Sequence, residues 1–209
     1  MSLSPRLACA ALLVAGCGFA ADPILLPKPQ TEGGKPLMEA LRLRQSTREY
    51  SPKKLSPQML SNLLWAAFGT NRPDGRRTAP SANNRQEITV YAALADGLYR
   101  YDATAHRLDP VLDQDVRAAT GTQDFVAGAP LNLVFVADLG KRSGTPEDQA
   151  FYTGADTGFI SQNVYLFCAS EGLATVVRAG VDRAALAKLM KLGENQRITL
   201  VQTVGYPKQ

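Results

Sequence analysis

Five consecutive residues near the start of the chain could bind an anion: Arg44, Gln45, Ser46, Thr47 and Arg48. The guanidinium group of arginine stays protonated in proteins, and its planar fork matches the oxygens of a phosphate two at a time. The serine hydroxyl between the two arginines can donate one further hydrogen bond to the same group. Such a combination is typical of a site for a phosphate-bearing cofactor.

Apolar residues recur at helical intervals just before this segment, which predicts a helix from Pro36 to about Gln45. The two arginines would then follow the C-terminal end of the helix. Because that end carries the negative pole of the helix dipole, side-chain charge would have to supply the binding energy for an anion. The alternative is a solvated basic face, on which the arginines form ion pairs with Glu39 and Glu49.

Length and composition indicate one globular domain of ordinary size. The chain has 209 residues, of which 45% are hydrophobic and 20% are charged. The formal net charge is +4, but the basic residues are scattered and form no long Lys/Arg run. Nucleic-acid binding is therefore not expected.

The first 21 residues are typical of an export signal, because Arg6 precedes an apolar stretch, 7–15, that is too short to span a bilayer. Cleavage after Ala20 would leave a free periplasmic protein. Alternatively, the segment 14–17 resembles the lipobox of bacterial lipoproteins, and a lipid on Cys17 would anchor the protein to the envelope. Residues 22–35, rich in proline, are predicted to be a linker, and residues 36–209 the folded domain.

Several classes of reaction lack their residues in this sequence. His106 is the only histidine and lies in a polar, hairpin-like stretch where its ring is expected to be exposed, so a Ser-His or Cys-His mechanism has little support. Zinc would lack ligands, and no GxGxxG or GxxxxGK[ST] motif occurs. Cys168 lies in an apolar helical run, as a core residue does. An organic cofactor is therefore expected to supply any redox or transfer chemistry.

The order of predicted elements indicates an α+β domain with helices around a central mixed or antiparallel sheet. Ser56 is predicted to cap a helix that begins at Pro57, and Gly172 to end a long one. The segments 70–84 and 144–149 are predicted to be loops. Predicted helices cover 36–45, 57–68, 113–120, 123–127, 151–172 and 183–191, and predicted strands cover 87–95, 97–101, 131–137, 173–178 and 198–206.

Three further segments could take part in a binding site. Pro80–Gln86 is a rigid turn with hydroxyl and amide groups before a strand, although it could be a plain polar loop. Val177–Gly180 places small residues at a strand exit, where backbone N–H groups can approach a planar ring. Gly205–Pro207 ends the last strand.

Taken together, these motifs resemble those of the nitroreductase family of FMN-dependent oxidoreductases, over about residues 38–208. The segment Arg44–Arg48 is similar to the family's R-[RHQ]-S-x-[RK] motif, Pro80–Gln86 matches PSxxNxQ, and Gly205–Pro207 matches the terminal GYP. The resemblance implies an α+β homodimer with two FMN sites at the interface, each built from both subunits.

The resemblance also implies roles for individual residues. Arg44, Gln45, Ser46 and Arg48 would hold the phosphate, the ribityl chain and the pyrimidine edge of the flavin. From the other subunit, Pro80, Ser81, Ala82 and Asn84 would close the site. Arg178, Ala179 and Gly180 match the stretch whose backbone lies against flavin N5, and Gln123 would lie near the ring. Lys208 is the one basic residue after the last strand that could contact the phosphate.

The implied activity is ping-pong reduction of an electron-poor nitro, quinone or enone compound through flavin N5, with NADH or NADPH as electron donor. Two alternatives stay open: a dehydrogenase of the azoline-oxidising type, and a non-catalytic exported flavin-binding protein. The sequence also departs from the family pattern. Glu87-Ile88 replaces the frequent Pro-Trp pair after PSxxNxQ, and Ala179-Gly180 replaces the Glu-Gly pair.

Overall fold

The computed structural model describes residues 22–208. The predicted export signal, with Cys17, lies outside the described residues. Within 22–208, none of the helices is long and apolar enough to cross a membrane.

The centre of the fold is a seven-stranded sheet, in the order β1-β4-β3-β2-β5-β7-β6. Every pair of neighbouring strands in it is antiparallel, so the sheet predicted as mixed or antiparallel is antiparallel. Residues 131–137 of β5 are all buried, as expected of a central strand that is covered on both faces. The strands are β1 Ile24–Leu25, β2 Ile88–Leu94, β3 Gly97–Asp102, β4 Arg107–Leu112, β5 Leu131–Asp138, β6 Ala174–Arg178 and β7 Gln196–Gly205.

Helices cover both faces of this sheet and create two apolar clusters. The helices are α1 Leu37–Leu43, α2 Pro57–Phe68, α3 Phe125–Gly128, α4 Pro146–Glu171 and α5 Arg183–Leu189. The larger cluster lies under α2 and α4 and includes Leu63, Phe135 and Ile160. The smaller one lies under α5 and includes Leu186 and Val201.

Most predicted elements are present, and α2 has the predicted bounds. The Ser56 side chain accepts a hydrogen bond from the Met59 backbone, and Pro57 occupies the first turn, where its missing N–H costs nothing. Gly172 ends α4 with φ +71°, a left-handed conformation that glycine adopts without strain.

Three predictions of secondary structure were wrong. The expected loop 144–149 is mostly the first turn of α4, because Thr145 and Asp148 form a reciprocal capping box and Pro146 begins the helix. In the expected helix 113–120, only Arg117–Thr120 forms a short 3-10 turn. Strand β4 was missed because Pro110 interrupts its pattern, which a strand near the sheet edge tolerates.

The stretch 22–35, predicted to be a linker, lies along the domain. Strand β1 pairs with β4 through Ile24↔Leu108, and the backbone N–H of Lys35 donates to Ser170 on α4. Between these points His106 binds the carbonyl of Pro27. Prolines disfavour regular structure but leave carbonyl acceptors free, so side chains of the domain hold this stretch.

The ring of His106 is half-buried, which corrects the expectation that it would be exposed. The Tyr101 hydroxyl lies 2.9 Å from Nδ1, and Nε2 lies 2.7 Å from Ser61 Oγ and 3.1 Å from the carbonyl oxygen of Pro27. A neutral ring with its proton on Nε2 satisfies all these contacts. Burial lowers the pKa of His106 below its ordinary value of 6.5. The only histidine thus has a structural role in fastening the N-terminal stretch.

Candidate functional site

The segment Arg44–Arg48 leaves the end of α1, as predicted, and runs beside α4. Arg44 caps the helix with its N–H bonded to the carbonyl oxygen of Ala40, and its guanidinium carbon lies 5.3 Å from the centre of the Tyr165 ring. The backbone N–H of Thr47 donates to the carbonyl oxygen of Thr175 on β6, at 2.9 Å. These contacts fix the path of the segment across the end of the sheet.

Both arginines of the segment are available to an anion. Among residues 22–208, no carboxylate lies within ion-pair distance of Arg44 or Arg48. The expected partner Glu39 instead pairs with Lys35, one turn earlier. The alternative of a basic face neutralised by its own glutamates therefore does not describe this structure.

Tyr165 on α4 joins the arginine segment to β6, and sequence reasoning did not single it out. Its hydroxyl accepts the N–H of Val177 at 3.0 Å and lies 2.8 Å from Ser46 Oγ. Because the tyrosine proton has no other acceptor among the described residues, donation to Ser46 satisfies both groups. The Ser46 proton then remains free for an anion. The only sequence signal was a tyrosine inside an otherwise apolar run.

A cavity of about 260 Å³ opens beside this segment, and Gln45, Thr47, Tyr165 and Pro207 help to line it. The segment and the C-terminus run together, because Tyr50 pairs with Pro207 and the N–H of Lys208 donates to the carbonyl oxygen of Glu49. Lys208 therefore lies next to the arginine segment, as the prediction requires.

Lys53 is a second basic residue that lies next to the C-terminal residues Tyr206 and Lys208, and the sequence did not indicate it. Its Nζ lies 4.7 Å from the centre of the Tyr206 ring, and it lines a second cavity, of about 600 Å³, together with Lys208. No motif marks this lysine, since only the pairing of the two segments brings it there.

The exit of β6 places Ala179 and Gly180 at the surface and Arg178 in the interior. The guanidinium of Arg178 donates to Thr203 Oγ1, to Asn132 Oδ1 and to the carbonyl oxygen of Thr120. It has no carboxylate partner in the described part of the chain, and burial lowers its pKa. A buried positive charge thus lies directly behind Ala179 and Gly180.

Gln123, which the resemblance places near the flavin ring, lies close to the same strand exit. The backbone N–H of Thr122 donates to the carbonyl oxygen of Gly180 at 3.3 Å, and the side chain of Gln123 is exposed. The amide therefore projects from the turn beside Ala179 and Gly180.

The loop Pro80–Gln86 is held in an unusual conformation. Asn83, Asn84 and Gln86 all have positive φ, between 47° and 54°, a region that non-glycine residues seldom occupy. The N–H of Ala82 donates to the carboxylate of Asp156, and Ser81 Oγ donates to Glu87. Pro80 and Asn84 are exposed.

A buried ion cluster of Glu87, Arg142 and Asp156 supports this loop. Arg142 lies 2.6 Å from Glu87 and also pairs with Asp156, and all three side chains are at most 5% exposed. Burial, reinforced by the neighbouring Asp156 carboxylate, raises the pKa of Glu87. The residue that stands where the family often has proline thus belongs to this cluster.

Within one subunit, the structure brings together only part of the predicted site. Arg44–Arg48, Arg178–Gly180, Gln123 and Lys208 share one end of the sheet. The loop Pro80–Gln86 binds Asp156, which lies nine residues before Tyr165 on α4, or about 13 Å along the helix axis. A single subunit therefore presents the two parts of the site at separate places along α4.

Other reactive groups lie away from this region. Cys168 is fully buried, and burial raises the pKa of its thiol, as expected for a core residue. In the described residues there is no group of three or more His, Cys, Asp or Glu side chains that could hold a metal ion.

Comparisons with known proteins agree on one family. The model of the nitroreductase family matches residues 41–206. A candidate nitroreductase of Methanocaldococcus jannaschii is 31% identical over 169 residues, which is 76% of this chain and 85% of the relative.

Solved structures share the fold. The crystal structure of a candidate nitroreductase from Ralstonia eutropha JMP134 superposes with a TM-score of 0.87 at 43% identity, covering 100% of this chain and 97% of that one. The NADPH:FMN oxidoreductase of Vibrio harveyi, solved with NAD+, superposes with a TM-score of 0.63 at 19% identity, covering 83% and 69% of the two chains.

Proposed function

The chain belongs to the nitroreductase family, and from this premise we propose that it binds FMN between two subunits and reduces an electron-poor small molecule. It is an oxidoreductase of the nitroreductase type. The proposal adds the cofactor site, the acceptor class, namely nitro, quinone or enone compounds, and a nicotinamide nucleotide as electron donor. When bound, FMN would supply the hydride chemistry at N5 of its ring.

The observation that carries the proposal is the pair of unneutralised guanidinium groups on an exposed segment. Arg44 and Arg48 have no carboxylate partner in residues 22–208, and the Ser46 hydroxyl between them keeps its proton for an anion when Tyr165 donates their shared hydrogen bond. These donors fit a phosphate monoester, which accepts several charge-assisted hydrogen bonds at once. Lys208 and Lys53 add positive charge on the adjoining segment.

The remaining residues would position the flavin ring rather than react with it. Ala179 and Gly180 leave their backbone accessible at the exit of β6, with Gln123 beside them. The buried charge of Arg178 behind them favours negative charge on the ring, in a place where water screens it weakly. No side chain is required as a proton donor.

The second subunit is proposed because α4 exposes a stripe of residues suited to helix packing. Phe151 is 71% and Phe159 47% exposed, and on the same helix a Cβ atom added at Gly154 or Gly158 would meet nothing within 4 Å. Such large exposed aromatic groups favour an interface between copies of the chain. A twofold arrangement along α4 would bring the Pro80–Gln86 loop of the partner toward the Arg44–Arg48 segment.

Cofactor retention tests the site directly. The purified mature protein should be yellow, and Arg44→Ala should lose FMN on dialysis, whereas Arg42→Ala, in the last turn of α1, should retain it. A colourless protein that does not take up added FMN would contradict the proposal. A yellow protein that NADH, NADPH and reduced quinones all fail to bleach anaerobically would favour the non-catalytic alternative, and turnover of azoline peptides the dehydrogenase alternative.

We further propose that the protein is exported and is either periplasmic or lipid-anchored. Arg6 and the short apolar stretch 7–15 within residues 1–21 support this proposal. Labelling cells with a radioactive fatty acid separates the two cases. Label on the wild type that disappears in Cys17→Ser indicates a lipoprotein, and an unlabelled protein in the periplasmic fraction indicates signal cleavage.

A further inference from the structure

A basic surface surrounds the Pro80–Gln86 loop and includes Arg85 of that loop, to which the proposed cofactor site assigns no role. We define this basic surface by Arg72, Arg76, Arg77, Arg85 and Lys141. Positions 70–86 contain four arginines and one acidic residue, Asp74, which gives a net charge of +3, and Lys141 adds one positive charge from outside that range. The formal net charge of the whole chain is +4, so positive charge is concentrated in this short segment.

Gln86 joins the basic surface to the loop that is proposed to close the flavin site. Its Nε2 donates to the carbonyl oxygen of Gly75 at 3.1 Å and to Asn84 Oδ1 at 2.9 Å. Its Oε1 accepts Arg77 Nε at 2.9 Å, and its carbonyl accepts Lys141 Nζ at 3.3 Å. The arginines and the loop therefore form one continuous surface.

Two of the five groups have partners within the surface. Arg77 is half-buried, donates to Gln86 and Thr70, and lies against the ring of Phe68, while burial lowers its pKa. Arg76 forms an exposed ion pair with Asp74. Arg77 is thus a support for the loop, and Arg76 is partly neutralised.

The other three groups keep their charge unneutralised. Arg72 donates only to the neutral amide of Asn71, and Lys141 only to a carbonyl. Arg85 is exposed, and no carboxylate of residues 22–208 lies within ion-pair distance of any of the three. A merely solvated face commonly intersperses charges of both signs, whereas positions 70–86 carry four arginines and a single carboxylate, Asp74, beside the proposed active site.

We propose that the basic surface recruits an anionic co-substrate, one that carries a carboxylate, sulfonate or phosphate group, to the flavin cleft. This inference rests on the proposed function, because the Pro80–Gln86 loop must border the flavin. The positive field raises the local concentration of anions and the rate of their productive encounter. Arg72, Arg85 and Lys141 attract the anionic group of the co-substrate and take no part in electron transfer.

The anionic group could belong to the electron acceptor or to the nicotinamide donor, and separate half-reactions distinguish them. For the acceptor, dithionite-reduced enzyme is mixed anaerobically with 4-nitrobenzoate or with the neutral 4-nitrobenzamide. For the donor, oxidised enzyme is mixed with NADPH or with the uncharged model compound 1-benzyl-1,4-dihydronicotinamide. Flavin absorbance reports both half-reactions.

The test variant is the double substitution Arg72→Gln/Arg85→Gln, with Lys141→Gln as a second, single variant. Lys188→Gln/Lys191→Gln on and after α5 removes two exposed charges elsewhere and controls for net charge. At low ionic strength we expect the test variant to lower the second-order rate constant about tenfold for the anionic partner of one half-reaction. The difference should shrink in 0.5 M NaCl, where the Debye length falls to a few ångströms.

Each outcome decides the inference. A selective loss with 4-nitrobenzoate assigns the anion to the acceptor, and a selective loss with NADPH assigns it to the donor. Equal changes for charged and neutral partners in both half-reactions, or the same loss in the α5 control, would overturn it. Failure of the proposed function is seen separately, because the protein would then contain no FMN before any half-reaction is measured.

Discussion

Arg178 carries its guanidinium group into the sheet, where Thr203, Asn132 and the carbonyl of Thr120 receive its hydrogen bonds. It has this room only because residue 121 is glycine. A Cβ atom on Gly121 would lie 1.9 Å from Nη1 of Arg178 and 3.1 Å from its Cζ. The φ angle of Gly121 is 176°, an extended conformation open to any residue, so space and not backbone freedom requires glycine here.

Gly121→Ala should therefore displace Arg178 and destabilise the fold by about 1–3 kcal/mol, as overpacking of a filled interior does. Because Arg178 lies behind Ala179 and Gly180, FMN retention should fall as well. Urea unfolding and bound-flavin absorbance measure the two effects. Gly128→Ala is the matched control, since its Cβ would meet nothing within 4 Å, and equal stability of the two variants would contradict the account.

At the scale of elements, the loop Pro80–Gln86 depends on a buried ion cluster rather than on its own conformational preference. Positive φ at three non-glycine residues costs free energy, which the bonds from Asp156 and Glu87 offset. A single arginine, Arg142, faces both carboxylates, so loss of Asp156 would leave Arg142 paired with Glu87 alone and would take the charged acceptor away from the Ala82 N–H.

Asp156→Asn should destabilise the protein by about 1–3 kcal/mol, because Arg142 and the Ala82 N–H lose a charged acceptor while Glu87 still balances the charge of Arg142. The loop should also become more mobile, which hydrogen exchange at Ala82 would report, because its N–H loses a charged acceptor. Glu39→Gln removes a carboxylate from the exposed pair with Lys35 and should change stability very little. Slow exchange at Ala82 in Asp156→Asn would count against a positioning role for this cluster.

The stretch 22–35 is held to the domain in part by His106, and the stability that His106 contributes depends on pH. Burial lowers the pKa of His106 below 6.5 in the folded state, so in acid the unfolded chain binds more protons than the folded one. The stability from the neutral ring is therefore fully present above about pH 6.5 and is lost as the pH falls toward the lowered pKa.

We expect the wild type to lose more stability between pH 7.5 and pH 5.5 than His106→Asn does. Asparagine tolerates the left-handed backbone at this position, where φ is +48°, but does not titrate. Urea unfolding at the two pH values measures the difference. Parallel pH profiles for the two proteins would show that another group is responsible.

At the scale of the whole molecule, the described chain exposes more apolar surface than a solitary subunit requires. Phe151 and Phe159 on α4 are joined by Leu37 and Met38 on α1, which are 63% and 76% exposed. Helices α1 and α4 pack against each other, so their exposed groups lie on neighbouring elements. Burial of this surface between two copies would stabilise both and would complete the proposed site.

Phe159→Arg should shift the protein from dimer to monomer and lower FMN retention with it, because a charge placed in an apolar interface is costly. Leu25→Arg at the sheet edge, where Leu25 is 78% exposed, should leave the protein dimeric. Sedimentation velocity together with flavin absorbance measures both properties. A monomeric variant that keeps its FMN would contradict a site shared between subunits.

Local patterns were sufficient for much of the fold and for the candidate motifs. Ser56, Pro57 and the apolar spacing of α2 predicted its bounds, and the apolar run 131–137 predicted the central strand, because caps and periodicity act over a few residues. The motif Arg44–Arg48 and its neighbours indicated the family by the same local means. Strand β4 and the start of α4 were missed, since a proline and a polar capping box hid them.

The sequence by itself determined the family, the α+β class and the set of residues available for a cofactor, because each depends on short-range order along the chain. Only the tertiary structure decided that Arg44 and Arg48 lack carboxylate partners, that Tyr165 links Ser46 to β6, and that the Pro80–Gln86 loop lies apart from them. Each of these features depends on which residues, far apart in the sequence, lie next to one another in the fold. Packing of α4 against the sheet sets them, and no local pattern encodes it.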